Sequence, residues 1–300
     1  MTTRTSRRFG DLPAALIFIL PGLLLFLAFI VMPMLYSLRI SFYDWNIIKP
    51  ERSEWIALQN YGRALGDPIF RRAAFNTFVY TAVTVPAQIL IGLLIAILLN
   101  QKIRGRAAFR VIYYLPVITS WVIVSLLFEY MFSGQAGLIN YFLRDVTGII
   151  SENILWLADP VLVFVPIILL GIWKGIGWAA IILLAGLQAI PDEMDEAAKV
   201  DGATMWQHFF YITLPLLRST LVFLTVVLTI GGLNAYISNL LITNGGDPLD
   251  KTHFILTLMY EATFTKLEFG YGASISYLLT FVVFFVSVIQ LRLMHRQVEY

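Results

Sequence analysis

The 300-residue chain has no cysteine, which excludes a disulfide framework, a thiolate metal site and a cysteine nucleophile. Charge is scarce as well: Asp, Glu, Lys and Arg make up 13% of the residues, where a soluble domain carries about a quarter. The net charge of +2 is too small, and too little clustered, for a nucleic-acid footprint. The chain has no G-x-x-x-x-G-K-S/T phosphate loop, no H-E-x-x-H and no carboxylate pair inside an apolar run, so neither nucleotide hydrolysis nor an embedded metallo-site is written in it. His208 and His253 lack ligand companions at metal-binding spacing.

What the chain has is apolar sequence. Hydrophobic residues make up 59% and mean hydropathy is +0.78, which places the chain in a bilayer. Crossing a hydrocarbon core of roughly 30 Å takes about 20 apolar residues, and six stretches qualify: Ala14–Leu38, Thr77–Leu99, Val111–Phe132, Val161–Leu187, Leu216–Ile242 and Ala273–Leu291. A backbone in lipid must satisfy itself inside helices, so the expected fold is an all-α polytopic membrane protein with six transmembrane helices. Runs of this length exclude a transmembrane barrel. The first run follows Arg4, Arg7 and Arg8 but is too long for the core of a secretory signal, so it is expected to stay as a helix. Lys102, Arg104, Arg106 and Arg110 crowd the short second-to-third connection, and short loops are where positive charge marks the inside. Both termini are therefore expected to be cytoplasmic. The chain divides into 1–75 (tail, first helix and external loop), 76–292 (a transmembrane domain with a cytoplasmic loop at 190–215) and the tail 293–300.

That loop carries the most specific local sequence, EAAKVDGATMWQHFFYITLP at 196–215. After Pro191, four acids (Asp192, Glu193, Asp195, Glu196) crowd the start of a short helix, where the positive end of the dipole favours carboxylates. Gly202 ends it, and Thr204 with Gln207 has capping-box form for a second short helix leading to Pro215. A helix, a glycine corner and a second helix make one compact knob, with Met194, Ala197, Ala198 and Val200 as apolar contact positions.

Glu196-Ala197-Ala198, then three residues, Gly202, then nine, then Ile212-Thr213-Leu214-Pro215 resembles the EAA loop of permease subunits of binding-protein-dependent ABC importers. FRRAAFNTFVYT, LLNQKIRGRAAFRVIYYLP, IWKGIGWAAIILLAGLQAIP, LLITNGGDP and IALQNYGRAL extend the likeness over nearly the whole chain. They are similar to the carbohydrate-uptake branch, in particular the maltose and glycerol-phosphate type first permease. The resemblance implies a type I ABC importer transmembrane domain in the bacterial or archaeal inner membrane. It implies as partners a second permease subunit, two cytoplasmic ATPase subunits and an extracytoplasmic solute-binding protein, besides membrane lipid. ATP and Mg would be bound by the ATPase subunits, with no cofactor and no enzymatic site in this chain. Glu196, Ala197, Ala198, Asp201, Gly202, Ile212 and Pro215 would couple to the ATPase.

A sugar pathway needs polar groups for hydroxyls and an aromatic face for the ring at mid-membrane depth. Gly175 and Trp178 of the fourth run, with Asn234, Tyr236 and Asn239 of the fifth, supply that mixture, and Lys174 is an ionisable residue well inside the membrane. In the maltose-type relatives a glycine and a tyrosine of the fourth equivalent span and asparagines of the fifth touch the sugar. Gly175 matches that glycine, Trp178 replaces the tyrosine, and Gly232 and Ala235 stand where asparagines would. This departure points away from maltose itself. An ion-coupled secondary transporter is the alternative, but it would need coupling carboxylates within the spans, which hold little beyond Glu129 and Lys174.

Overall fold

A computed structural model describes residues 12–101 and 105–294. Arg4, Arg7, Arg8, Lys102, Arg104 and Arg296, part of the charge pattern used above, lie outside these residues, as does most of the 293–300 tail.

The first span is α1 (Leu12–Phe26) and α2 (Met32–Ile40), joined by one π turn. A two-residue hairpin ladder, β1 (Tyr43–Asp44) with β2 (Glu54–Trp55), and a short α3 (Gln59–Gly66) lead into α4 (Pro68–Asn100). The side chain of Asp67 caps α4 by accepting from the Ile69 N–H, and Pro68 fits the first helical position, where no donor is needed. Then come α5 (Arg106–Ile118), α6 (Trp121–Met131), α7 (Leu138–Tyr141) and α8 (Phe164–Gln188). The knob consists of α9 (Asp192–Val200) and α10 (Met205–His208), and α11 (Leu214–Leu216) leads out of it. The described residues end with α12 (Arg218–Leu233), α13 (Ile237–Ile242), α14 (Ile255–Tyr260) and α15 (Phe269–Met294). Among the described residues five helices are long and apolar enough to span a bilayer, or six when α5 and α6 count as one.

The centre of the molecule is α4 against α8. Tyr80, Gln88 and Gly92 of α4 meet Gly171, Gly175 and Ala179 of α8 in rising order, so the two helices run parallel. A methyl at Gly92 would come 2.7 Å from Ala179 Cβ, an approach only small residues allow. Lipid tails are as apolar as leucine, so such close packing drives association here instead of water exclusion. On the other side of α8, Gly177 touches the Tyr113 carbonyl of α5. A leucine-rich cluster extends the contact toward the knob, from Leu93 and Leu99 of α4 through Leu183 and Leu187 of α8 to Leu217 and Leu224.

Two of the six expected spans are not continuous. The third, expected as Val111–Phe132, breaks between α5 and α6 and bends by 92°. Pro116 withholds one donor from the ladder, and Thr119 (ψ 148°) and Ser120 (ψ 133°) are both extended. The carbonyls released by the break are taken up by another helix, as described below. The fifth, expected as Leu216–Ile242, starts at Arg218 and is interrupted at Asn234–Tyr236, where Tyr236 leaves helical geometry with φ −152°. Apolar run length reports how far a segment stays in lipid and is blind to both breaks.

Candidate functional site

The two breaks face each other across a cavity of about 380 Å³. Tyr80, Thr84 and Gln88 of α4 line it, with Val117 and Trp121 at the first break and Gly171, Lys174, Gly175 and Trp178 of α8. The far wall is the second break and its flanks, among them Gly231, Gly232, Asn234, Ala235, Tyr236 and Ser238. Irregular backbone at membrane depth is tolerated where it lines a cavity, which accounts for why the breaks occur here.

Of the residues expected to form a pathway, Lys174, Gly175, Trp178, Asn234 and Tyr236 converge on this space. Asn239 does not line it: fully buried in α13, it donates to the Thr252 carbonyl at 2.8 Å and anchors the loop beyond. Gly232 and Ala235, the two positions that depart from the maltose pattern, both line the wall, and a β-carbon at 232 would meet Thr81 of α4 at 2.9 Å. Gln88 was missed in the sequence, although a lone amide in a long apolar span is itself a flag. It donates to the Gly171 carbonyl at 2.9 Å, crossing from α4 to α8.

Lys174 belongs to the cavity lining and to the helix packing at once. Its Nζ donates to the carbonyls of Pro116 at 2.8 Å and Thr119 at 2.6 Å, with Val117 at 3.4 Å. These are the last carbonyls of α5, which have no partner within their own helix, and a cation there also meets the negative end of the dipole. Among the described residues the one other polar neighbour bonded to it is the Thr119 hydroxyl, itself a donor to the Pro116 carbonyl. An all-acceptor shell of this kind fits an ammonium with three donors. The ammonium also lies 5.0 Å from the centre of the Trp121 ring.

The knob stands at the end of α8. The C-terminus of α9 closes with the N–H of Ala203 on the Ala198 carbonyl (2.9 Å) and that of Gly202 on the Lys199 carbonyl (3.2 Å), the Schellman arrangement. Gly202 takes φ +73° with open space around it, so the corner requires glycine for its backbone and not for a close approach. The capping box forms as expected: Gln207 N–H donates to Thr204 Oγ1, and Thr204 N–H to Gln207 Oε1 at 2.8 Å. Phe209 and Ile190 pack on the leucine cluster and fix the knob to α4 and α8. Ala198 faces inward at 4% exposure, while Val200 and Met205 are 87% and 80% exposed. The exposed face is therefore Met194, Ala197, Val200, Met205 and Trp206, with Ala198 turned to the body. Glu196, Asp201 and Gly202 are exposed as well; Ile212 and Pro215 are half-buried on the way into α11 and α12.

Residues 70–299 match the family described as binding-protein-dependent transport system inner membrane component. The chain is 35% identical over 293 residues to the lactose transport system permease protein LacF of Rhizobium radiobacter, covering 96% of each. It is 34% identical over 265 residues to the trehalose/maltose transport system permease protein MalF of Thermococcus litoralis, covering 88% of each. Among solved structures, a chain of a bacterial ABC transporter involved in the import of the acidic polysaccharide alginate shares the fold, with a TM-score of 0.82 at 24% identity over 97% of both chains.

Proposed function

The chain belongs to the family of binding-protein-dependent transport system inner membrane components, and from that premise we propose that it forms half of the translocation pathway of an ATP-driven sugar importer. A second permease subunit supplies the other half, two ATPase subunits dock on the knob from the cytoplasm, and an extracytoplasmic protein delivers the solute. Both termini and the knob lie on the cytoplasmic side of a bacterial or archaeal inner membrane. The ATPase subunits bind ATP and Mg. The names of the lactose and trehalose/maltose relatives support a saccharide as cargo.

The observation that carries this reading is the continuity of α8. It lines the cavity with Lys174, Gly175 and Trp178 and passes, within four residues of its end at Gln188, into the exposed helix of the knob. A push on α9 is thereby a push on the cavity wall. The cavity offers an aromatic face from Trp178 and Tyr236, and hydroxyl and amide groups from Thr84, Ser238 and Asn234, a lining that suits a ring with many hydroxyls better than an apolar or strongly charged solute.

Reconstitution with the cognate second permease, ATPase and binding protein tests the proposal. Uptake of a labelled saccharide into vesicles should require ATP and the binding protein and persist when every ion gradient is collapsed. Uptake that follows an imposed ion gradient without ATP would instead establish secondary transport.

A further inference from the structure

One side chain touches both arms of the bent third span. Lys174 Nζ holds the terminal carbonyls of α5, and it lies over the ring of Trp121, the first residue of α6. The same residue sits in the middle of α8, fourteen residues before Gln188, about 21 Å along a helix rising 1.5 Å per residue. We propose that Lys174 is a positioning residue for transport, one that ties the break of the third span to α8 so that movement of the knob alters the bend and with it the cavity wall. This rests on the importer reading above.

The argument is one of distinct contacts. Elsewhere α5 and α8 touch through apolar surface and the close pass of Gly177 at Tyr113, contacts without a charged donor. The Lys174 bonds cannot slide. If α8 shifts by more than a hydrogen bond tolerates, the end of α5 either follows the ammonium or gives up its Lys174 donor: the Thr119 carbonyl then loses its bond, while that of Pro116 keeps the Thr119 hydroxyl, and leaving a polar group without its partner is costly. The bend is the discrete element on which the tie acts, because the extended pair Thr119–Ser120 is where backbone torsions can change without unwinding either helix. Ser120 is exposed, and its side chain caps nothing, so it is a probe position that leaves the tie intact.

The test uses the absence of cysteine from this chain. Ser120→Cys is introduced and the full complex, with its partner permease and its ATPases (made cysteine-free), is assembled in membranes. Labelling by a membrane-impermeant maleimide is timed with and without vanadate-trapped nucleotide. With Lys174 present the two rates should differ by roughly 2- to 30-fold, the span of coupling seen for residues along such paths. Lys174→Met should abolish the difference in assembled complexes, uptake per ATP hydrolysed should fall by the same factor, and Lys174→Arg, which keeps charge and donors, should preserve both. A nucleotide response of undiminished size in Lys174→Met would overturn the inference alone. Failure of both Lys174→Met and the milder Lys174→Gln to assemble would also overturn it, reducing Lys174 to a fold element. With Lys174 intact, labelling that ignores nucleotide in a complex that still takes up saccharide with ATP would overturn the inference alone, and a complex with no ATP-dependent uptake would overturn the importer reading with it.

Discussion

Gly175 of α8 packs against the side-chain amide of Gln88 of α4 so closely that any β-carbon at 175 would overlap it. The amide cannot simply swing away, because its Nε2 is bonded to the Gly171 carbonyl one turn earlier. Gly175→Leu should therefore lower the stability of the purified complex, by about 1–3 kcal/mol as for other overpacked sites, read as a drop in melting temperature. Gly175→Ala should cost less, and pairing it with Gln88→Ala should recover part of the loss, since the two residues share one space.

At the knob, Gly202→Leu must hold φ near +73°, a left-handed conformation that costs an L-residue about 1–2 kcal/mol. The complex should assemble and hydrolyse ATP, while uptake per ATP falls. Gly202→Asn, better tolerated in that conformation, should sit between the two. Wild-type stoichiometry in Gly202→Leu would show that the corner does not set the docking geometry.

In the cavity, Trp178→Ala should weaken substrate interaction at the membrane step by about 1–3 kcal/mol, the scale of one large ring, or roughly tenfold in apparent affinity. Asn234→Ala should have the smaller effect, because the Asn234 amide is engaged by the Ile230 carbonyl at 2.8 Å. Uptake per assembled complex at saturating binding protein measures both. Unchanged kinetics in both variants would move the pathway to other faces.

The connection between the fifth and sixth spans should respond to pH through His253. Burial depresses its pKa, and Glu261 at 3.4 Å and Asp250 at 3.8 Å oppose that only in part, with Lys266 adding to the depression. The unfolded chain, with the usual value of about 6.5, then binds the proton first. Stability is accordingly full above the unfolded value and is lost as pH falls below it, until the folded form is protonated too. Melting temperature should decline on acidification from pH 7, and His253→Gln should flatten that decline. A slope of equal size in His253→Gln would assign it to other groups.

The knob was legible because its determinants are local: an acidic first turn, Gly202 and a Thr204–Gln207 box each act within four residues. The number of spans was legible because apolar length is additive. The bend was not, since Pro116 is accommodated inside α5 and the break lies beyond it, stabilised by a lysine 55 residues away in sequence from Thr119. The inward face of Ala198 was likewise invisible: which side of a nine-residue helix turns to the body depends on how Ile190 and Phe209 hold the knob, and the cluster they pack on is assembled from three distant helices.

The first span has a different relation to the rest. Its 25-residue stretch Leu16–Ile40 holds no buried residue, with Val31, Ser37, Leu38 and Ile40 half-buried at its second half, and a bond from the Tyr277 hydroxyl to the Met34 carbonyl is among its few polar ties. A helix of that length is about 38 Å long, some 8 Å more than the hydrocarbon it crosses. What this segment answers to within its own chain is thickness instead of shape. Exchanges among leucine, isoleucine and phenylalanine along it leave the fit to the bilayer as it was; tilt absorbs the excess of about one and a half turns, and only a deletion longer than that leaves the helix shorter than the hydrocarbon.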